Sequence, residues 1–213
     1  LHFDFKNSST REIYNLINGL VAPRPIALVT SLSPEGKLNA APFSAYNYLS
    51  INPPIIGLGI QARTPGGEEL KDTSRNIELT KEFVVNVVTE DIGQKMNICG
   101  IEFPPDVSEL EMAGFTTEKS LVVNVPRIQQ AHAALECRLY ESLKPNGSAR
   151  IILGEVVAAY VEDQFIDPKG PYVIAQNLHA IGRMNSLNNY VRTRDAFISI
   201  PRLTYEQWLK GER

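Results

Sequence analysis

At 213 residues, 43% of them hydrophobic and 21% charged, the chain has the make-up of an ordinary soluble globule and length enough for one large domain, 1–213, with a well-buried core. A formal net charge of −3 excludes the concentrated Lys and Arg excess that nucleic-acid phosphates or anionic membrane surfaces require, and no apolar run approaches the roughly 20 residues that span a bilayer. Two cysteines, Cys99 and Cys137, are too few for a disulfide framework or a structural zinc site, and the opening LHFDFKNSSTRE lacks the basic-then-apolar order of a signal peptide, so a cytoplasmic protein with buried, inert thiols is expected.

In chain order, SSTREIYNLINGL carries a capping box, Ser9 with Glu12, then Ile13, Leu16 and Ile17 on one face and Gly19 as a stop. This predicts a short surface-packed helix over about 9–19. From Pro25 the period shortens: PIALVTSL and PPIIGLGI are β-branched runs bounded by Pro and Gly, and SPEG at 33–36 is a turn. Strands succeed one another here without intervening helices, which argues for antiparallel pairing. KDTSRNIELTK predicts a helix from about Asp72, EFVVNVV a strand over 82–88, and DIGQKMNICG a short helix ending at Gly100. The turn-rich segment 101–120 reads as an excursion on the surface. QAHAALECRLYESL and ARIILGEVVAAYVED are long strands separated by KPNGS, whose Asn146-Gly147 is a hairpin signal. From Gln164 the chain is loop-rich and closes with TYEQWLKG, a turn of helix. The expectation is a mainly β fold: a small antiparallel Greek-key barrel of six core strands over about 21–163, with peripheral helices and an extension, 164–213.

Several motifs lose their functional reading in context. GLGIQA, Gly57–Ala62, matches a dinucleotide fingerprint, but RTPGG follows it and Pro65 with two glycines cannot open the helix that would receive a pyrophosphate. His2, His132 and His179 fall in no metal-ligand spacing, and His132 alternates with apolar residues as a hydrogen-bonded structural histidine does. No nucleophile elbow is present.

Two stretches carry chemistry. KDTSRN, Lys71–Asn76, sets a cation and two hydroxyls at a helix N-terminus, where unpaired N–H groups and the positive dipole end suit one phosphate, with Arg63 near in sequence. Capping by Asp72 or Thr73 explains the same residues, and an Asp there would repel an anion. LNAAPFSAYN, Leu38–Asn47, is small, polar and uncharged around one ring, and the SPEG turn folds Asn39, Ala41 and Ser44 back beside Thr30 and Ser31. Such a patch suits a flat ring with hydrogen-bonding edges, a pterin, purine or flavin; a tight strand crossing that admits only small residues is the alternative.

Taken together, PRPIALVTSLSPEGKLNAAPFSAYNYLSINPPIIGLGI, KDTSRNIELTKEFVVNVV, AHAALECRLYE and ILGEVVAAYVED, in that order from about Val21 to Asp163, resemble the flavin reductase-like family with the FMN-binding split-barrel fold. The resemblance implies FMN in a groove at the interface of a homodimer. It implies that Thr30 and Ser31 meet the ring edge and ribityl chain, that Asn39, Ala41, Phe43 and Ser44 line the ring with Asn47 nearby, and that Lys71, Asp72 and Thr73 form the phosphate segment, with Asn76 tying that loop and Arg63 a further contact. The tail HAIGRMNSLNNYVRTRDAF is similar to the family's end, an Arg followed after a Gly-rich turn by a Tyr; Arg183 and Tyr190 keep both ends, while MNSLNN is longer and lacks the glycines. The implied activity is NAD(P)H-dependent flavin reduction, with electrons passed to free flavin, a monooxygenase partner or another acceptor. Arg183 and His179 are the candidates for orienting a nicotinamide or stabilising reduced flavin. An FMN-binding electron carrier resembling flavoredoxin, reduced by a protein donor, is the competing implication. No metal is expected.

Overall fold

The computed structural model describes residues 1–63, 67–104, 107–194, 200 and 204–210, apart from the side chain of Trp208. Pro65, used above against a dinucleotide site, lies outside them. The first helix, α1 (Thr10–Leu20), has the expected capping box: the Ser9 hydroxyl accepts from the Glu12 amide, and the Glu12 carboxylate accepts from the Ser9 amide at 2.8 Å. The helix runs past Gly19 and ends at Val21, because Gly19 costs helix propensity without being obliged to break the ladder.

A two-residue strand, β1 (Arg24–Pro25), leads into β2 (Ala27–Leu32). Gly36, at φ +84°, closes the expected turn by donating its N–H to the Ser33 carbonyl at 2.9 Å, and β3 (Leu38–Phe43) runs back antiparallel to β2. Then come β4 (Tyr46–Ile51), β5 (Pro54–Ile60), α2 (Asp72–Thr80), β6 (Glu82–Val87), α3 (Gly93–Ile98) and α4 (Glu109–Met112). Short strands β7 (Thr117–Glu118) and β8 (Arg127–Ile128) precede the two long ones, β9 (Ala133–Leu143) and β10 (Arg150–Val161). The extension supplies α5 (Ala175–Leu178), the hairpin β11 (Ile181–Arg183) with β12 (Tyr190–Arg192), and α6 (Tyr205–Leu209).

Seven strands form one antiparallel sheet in the order β3-β2-β6-β9-β10-β5-β4, one more than the six expected, because YNYLSI is a strand of its own rather than part of a connection. Strands β3 and β4 stand at opposite ends of that order, yet only Ser44 and Ala45 separate them in the chain. The three Cα steps from Phe43 to Tyr46 reach roughly 10 Å, so the sheet must curl until its edges nearly meet. The result is a split barrel whose seam is crossed at Ser44-Ala45. Gly59 lets the crossing lie close: its N–H donates to the Ala45 carbonyl at 2.7 Å, and a Cβ there would come within 2.9 Å of the Ala45 methyl. The fingerprint glycines Gly57 and Gly59 are therefore strand residues of β5.

Strand β2 is buried on both faces. Ala27 and Val29 join Leu58, Ile60, Phe83, Cys137 and Ile152 inside the barrel, while Ile26 and Leu28 face an outer layer with Val88, Met96, Leu110, Ala113, Phe115 and Ile128. The segment 101–120 is thus no mere surface excursion: Leu110, Ala113 and Phe115 pack into this second core. Their irregular spacing has neither helical nor strand period, which is why the sequence pattern does not reveal them. Buried polar groups tie the layers together. Glu136 accepts from the amides of Leu121, Val122 and Val123 at 2.7, 2.7 and 3.2 Å, and Asn86 bridges the Leu28 carbonyl and the Ile128 amide at 3.0 and 2.8 Å. No helix among the described residues is long and apolar enough to cross a membrane.

Candidate functional site

The most complete site lies where α2 meets the outer end of β3. Its groove is lined by Asn39, Ala41 and Phe43 on one side, by Arg63, Lys71, Asp72 and Thr73 at one end, and by the stretch Cys99–Phe103 opposite. Lys71 is the N-cap of α2 and provides no side-chain hydrogen bond to the helix. The amides of the first turn therefore receive no side-chain oxygen from the N-cap residue, which ordinarily satisfies one of them. Asp72 does not cap either. Its carboxylate takes a hydrogen bond from Arg75 at 2.6 Å and one from Arg63 at 3.4 Å, so two guanidiniums offset the charge that would repel an anion. Arg63 also reaches Glu69 through Nε at 3.8 Å and Glu102 at 3.9 Å, and among the described residues its buried Nε makes no hydrogen bond.

Two asparagines hold the helix against the sheet. Asn39 donates to the Thr73 hydroxyl at 3.0 Å, and Asn76, buried, donates to the Ser31 hydroxyl at 3.2 Å. Both bonds run between the paired strands β2 and β3 and the first turns of α2, so the position of the helix terminus is set by side chains of the strands it faces. Cys99, in the opposite wall, has its thiol pushed up to about 12 by burial and by nearby Glu109, which leaves it inert at neutral pH.

Beyond Pro42 and Phe43 the groove continues into a second cavity, which shares those residues and Gly100 and is completed by Ser44, Arg24, Arg183, Asn185 and Tyr190 among others. Arg183 and Tyr190 face each other across the β11–β12 pair; the guanidinium donates to the Tyr190 hydroxyl and lies over its ring, 4.8 Å from the centroid. The intervening turn lacks glycines but closes through Asn185, whose side-chain oxygen accepts from the Leu187 amide at 2.9 Å, and through the Met184 amide donating to the Asn189 carbonyl at 3.0 Å.

Asn39, Ala41, Phe43, Arg63, Lys71, Asp72 and Thr73 are thus brought into one groove, with Ser44, Arg183 and Tyr190 in its continuation. Thr30 and Ser31 are fully buried beneath it: Thr30 donates to the Pro126 carbonyl at 2.8 Å, and Ser31 is the acceptor for Asn76. Asn47 is exposed on β4, its side-chain oxygen accepting from the Tyr48 amide at 2.9 Å. His179 and Arg183 do not share a cavity. His179 sits at the other end of β11 with Glu90, Asp91 and His132, because a left-handed backbone at φ 53° ends α5 there and turns the chain before the strand begins. His132 is hydrogen-bonded to Glu162 at 2.8 Å and packs on Phe165, and that bond, followed by one from Gln164, holds the Glu162 carboxyl below its ordinary range. Among the described residues no cluster of His, Cys, Asp or Glu could hold a metal ion.

Sequence reasoning gave no role to Arg24, which is only 7% exposed. It donates to the carbonyls of Asn18 and Val21 at 2.5 and 2.7 Å, to Asn185 at 3.4 Å and to the Ser44 hydroxyl at 3.4 Å, joining α1, the seam crossing and the 184–189 turn. The available signal was its place between Pro23 and Pro25: prolines on both sides restrict the backbone and so preset the direction of the side chain.

A seven-stranded split barrel with a groove running from an uncapped helix terminus to an Arg-Tyr pair defines the class. Residues 20–179 match the flavin reductase like domain, and the chain belongs to that family. Its structure is similar to that of the 2-nitrobenzoate 2-nitroreductase NbaA of Pseudomonas fluorescens, with a TM-score of 0.86 and 36% identity over 96% of this chain and 98% of that one. It is also similar to nitrilotriacetate monooxygenase component B from Bacillus cereus, with a TM-score of 0.85 and 32% identity over 93% of this chain and 98% of the other. A Shewanella frigidimarina protein with a split barrel domain shares the fold at a TM-score of 0.79 and 24% identity, over 95% of this chain and 100% of that one.

Proposed function

We propose that the protein binds FMN in the groove and works as an NAD(P)H-dependent oxidoreductase. The observation that carries this reading is the phosphate end: an N-cap lysine that caps nothing, first-turn amides that take no side-chain cap from it, and a buried Arg63 Nε that makes no hydrogen bond among the described residues, all at one end of a groove floored by small, uncharged residues. Those donors match a phosphate monoester, and Lys71, Arg63 and the α2 amides hold it. Asn39, Ala41 and Phe43 present a low floor for a flat ring, and Ser44 offers a hydroxyl at its edge. Thr73 and Asn76 act by fixing the helix to the sheet, while Ser31, on the strand paired beside β3, accepts from Asn76 and Thr30 ties that strand to Pro126. FMN held there would supply the redox chemistry, for reduction by a nicotinamide donor and delivery of electrons to free flavin, a monooxygenase component or another acceptor. Arg183, stacked on Tyr190, orients the nicotinamide or stabilises negative charge on the ring.

The working unit in this reading is a homodimer. The edge strand β4 leaves Tyr48, Leu49 and Ile51 exposed at 67%, 60% and 75%, an apolar row that a second copy would cover. The reading is tested by loading the protein with FMN, removing oxygen, adding NADH and NADPH separately and following the visible flavin absorption. Rapid bleaching by either donor is expected. Tight FMN binding with no bleaching would refute nicotinamide dependence and point to an electron carrier reduced by another protein.

A further inference from the structure

His132 stands just ahead of β9, and both of its ring nitrogens face carboxylates: Nδ1 lies 2.8 Å from Glu162 and Nε2 lies 3.3 Å from Asp91. An ionised carboxylate only accepts, and a neutral imidazole carries a single N–H. The neutral ring can therefore serve one of these acids and must turn a lone pair toward the other, whereas the imidazolium donates to both. The acids are held in place around it. Asp91 accepts from the buried Thr89 hydroxyl at 2.5 Å, Glu162 accepts from Gln164 at 2.6 Å, and the Glu162 amide donates to the His132 carbonyl at 3.0 Å. Buried Phe165 packs against the ring, 5.1 Å between centroids.

These contacts gather three parts of the chain at the root of the β11–β12 hairpin. Asp91 belongs to the connection after β6, which is bonded to the start of β11: the Ile181 amide donates to the Val88 carbonyl at 3.1 Å and the Glu90 amide to the His179 carbonyl at 3.0 Å. Ile181 and Arg192 are partners at this root, while Arg183 and Tyr190 are partners at the far end, in the second cavity. Glu162 follows β10 and leads through Phe165 into the extension that carries the hairpin. Of the other charged groups here, Glu90 is paired with Arg192 at 2.6 Å and with Arg194 at 3.2 Å, and the charge of Arg127 favours the ionised Glu162. His179 shares the cavity, about 430 Å³, but its side chain makes no hydrogen bond or ion pair with a described residue. Carboxylates and guanidiniums keep their charge near neutral pH, so the tie that changes there is the one through His132.

We propose that His132 is a positioning residue whose proton clasps the root of the β11–β12 hairpin, joining Asp91 to Glu162 as the imidazolium and releasing one of them when the proton leaves to water. The tie is present while both acids are ionised and the ring is protonated, and it is lost as pH rises through the titration of the imidazole. Asp91, the more exposed of the two acids, then turns to solvent and loosens the connection to which β11 is bonded. The clasp stands on these residues alone; that it tunes the Arg183–Tyr190 side of a flavin site rests on the FMN reading.

The test is hydrogen exchange of the Ile181 and Glu90 amides in the full chain from about pH 5.5 to about pH 9, spanning the histidine range and corrected for the intrinsic pH dependence of exchange. Protection of both amides should fall by about fivefold as pH rises, the size of a partly exposed ion pair. His132→Gln, which does not titrate, should flatten the profile. So should Asp91→Asn, whose amide can turn a donor toward a neutral ring, with thermal melts confirming that both variants fold. His179→Asn, suited to the left-handed backbone at that position, should leave the profile unchanged. A flat profile in the parent, one that survives in both His132→Gln and Asp91→Asn, or one that vanishes in His179→Asn would overturn the clasp. An equal fall in the amides of β5 would place the effect in global stability and overturn it too. If the profile behaves as expected while FMN fails to bind, the clasp stands and the flavin reading falls.

Discussion

Lys71→Ser separates stability from ligand binding at the helix terminus. Lys71 already has the extended backbone of an N-cap but offers no side-chain oxygen. A serine there can accept from an amide two or three residues on, which is worth about 1 kcal/mol over a non-capping residue. For a domain of this size that raises the melting temperature by about 2–4 °C. The same change removes a cation from the phosphate end of the groove. A charge-assisted contact contributes about 1.5–3 kcal/mol, and since Lys71 is partly exposed the lower part of that range applies, about tenfold in FMN affinity. Riboflavin, which has no phosphate, should bind the variant and the parent equally. The assay is a pair of fluorescence titrations, FMN and riboflavin, on both proteins, with thermal melts of the ligand-free forms. An unaltered FMN-to-riboflavin ratio would refute the phosphate cradle, and an unaltered melting temperature would refute the capping argument.

Gly154→Ala should destabilise the barrel by about 1–3 kcal/mol in urea melts, because its new Cβ would overlap the Phe83 ring at Cζ and come within 2.9 Å of Cε1, and Phe83 is fully buried. Adding Phe83→Leu should recover part of the loss; an unshifted midpoint in Gly154→Ala would show that the ring can yield. Burial raises the Glu78 carboxyl, but hydrogen bonds at 2.7 Å from Ser142 and from Arg150 outweigh it and leave the group below its ordinary value. A depressed folded value means stability that is present above the ordinary carboxylate range and lost as pH falls through the folded value. The stability gap between the parent and Glu78→Gln should therefore be widest near neutral pH and narrow below about pH 4, and a gap independent of pH would contradict this. Burial raises both cysteine thiols, Cys99 to about 12, so neither should react with a disulfide reagent at mildly alkaline pH until the protein is denatured. Rapid labelling of the native protein would show the inner or outer core to be open.

The parts of the site that lie within a few residues of one another were legible in the sequence. Lys71, Asp72 and Thr73 were visible as a helix terminus with a cation and a hydroxyl, and the structure resolved the ambiguity left there by showing that neither Asp72 nor Thr73 is the cap. Within LNAAPFSAYN the structure shows a tight crossing at Ala45 against Gly59, while Asn39, Ala41 and Phe43 line the groove in which the flat ring is proposed to lie. His179 and Arg183 looked like one pair because they are near in sequence, yet a strand between them sends them to separate cavities.

The sequence by itself determined the local elements: the Ser9–Glu12 box, the turn at Gly36, the start of α2 and most of the strands. Each follows from hydrogen bonds and dihedral preferences among residues a few positions apart. Only the tertiary structure decided the seam between β3 and β4, the inward packing of Leu110, Ala113 and Phe115, and the meeting of Arg24 with Arg183. Those depend on which strands pair and in what register. That choice is made by burial over the whole barrel, and it leaves no periodic trace at the residues it brings together.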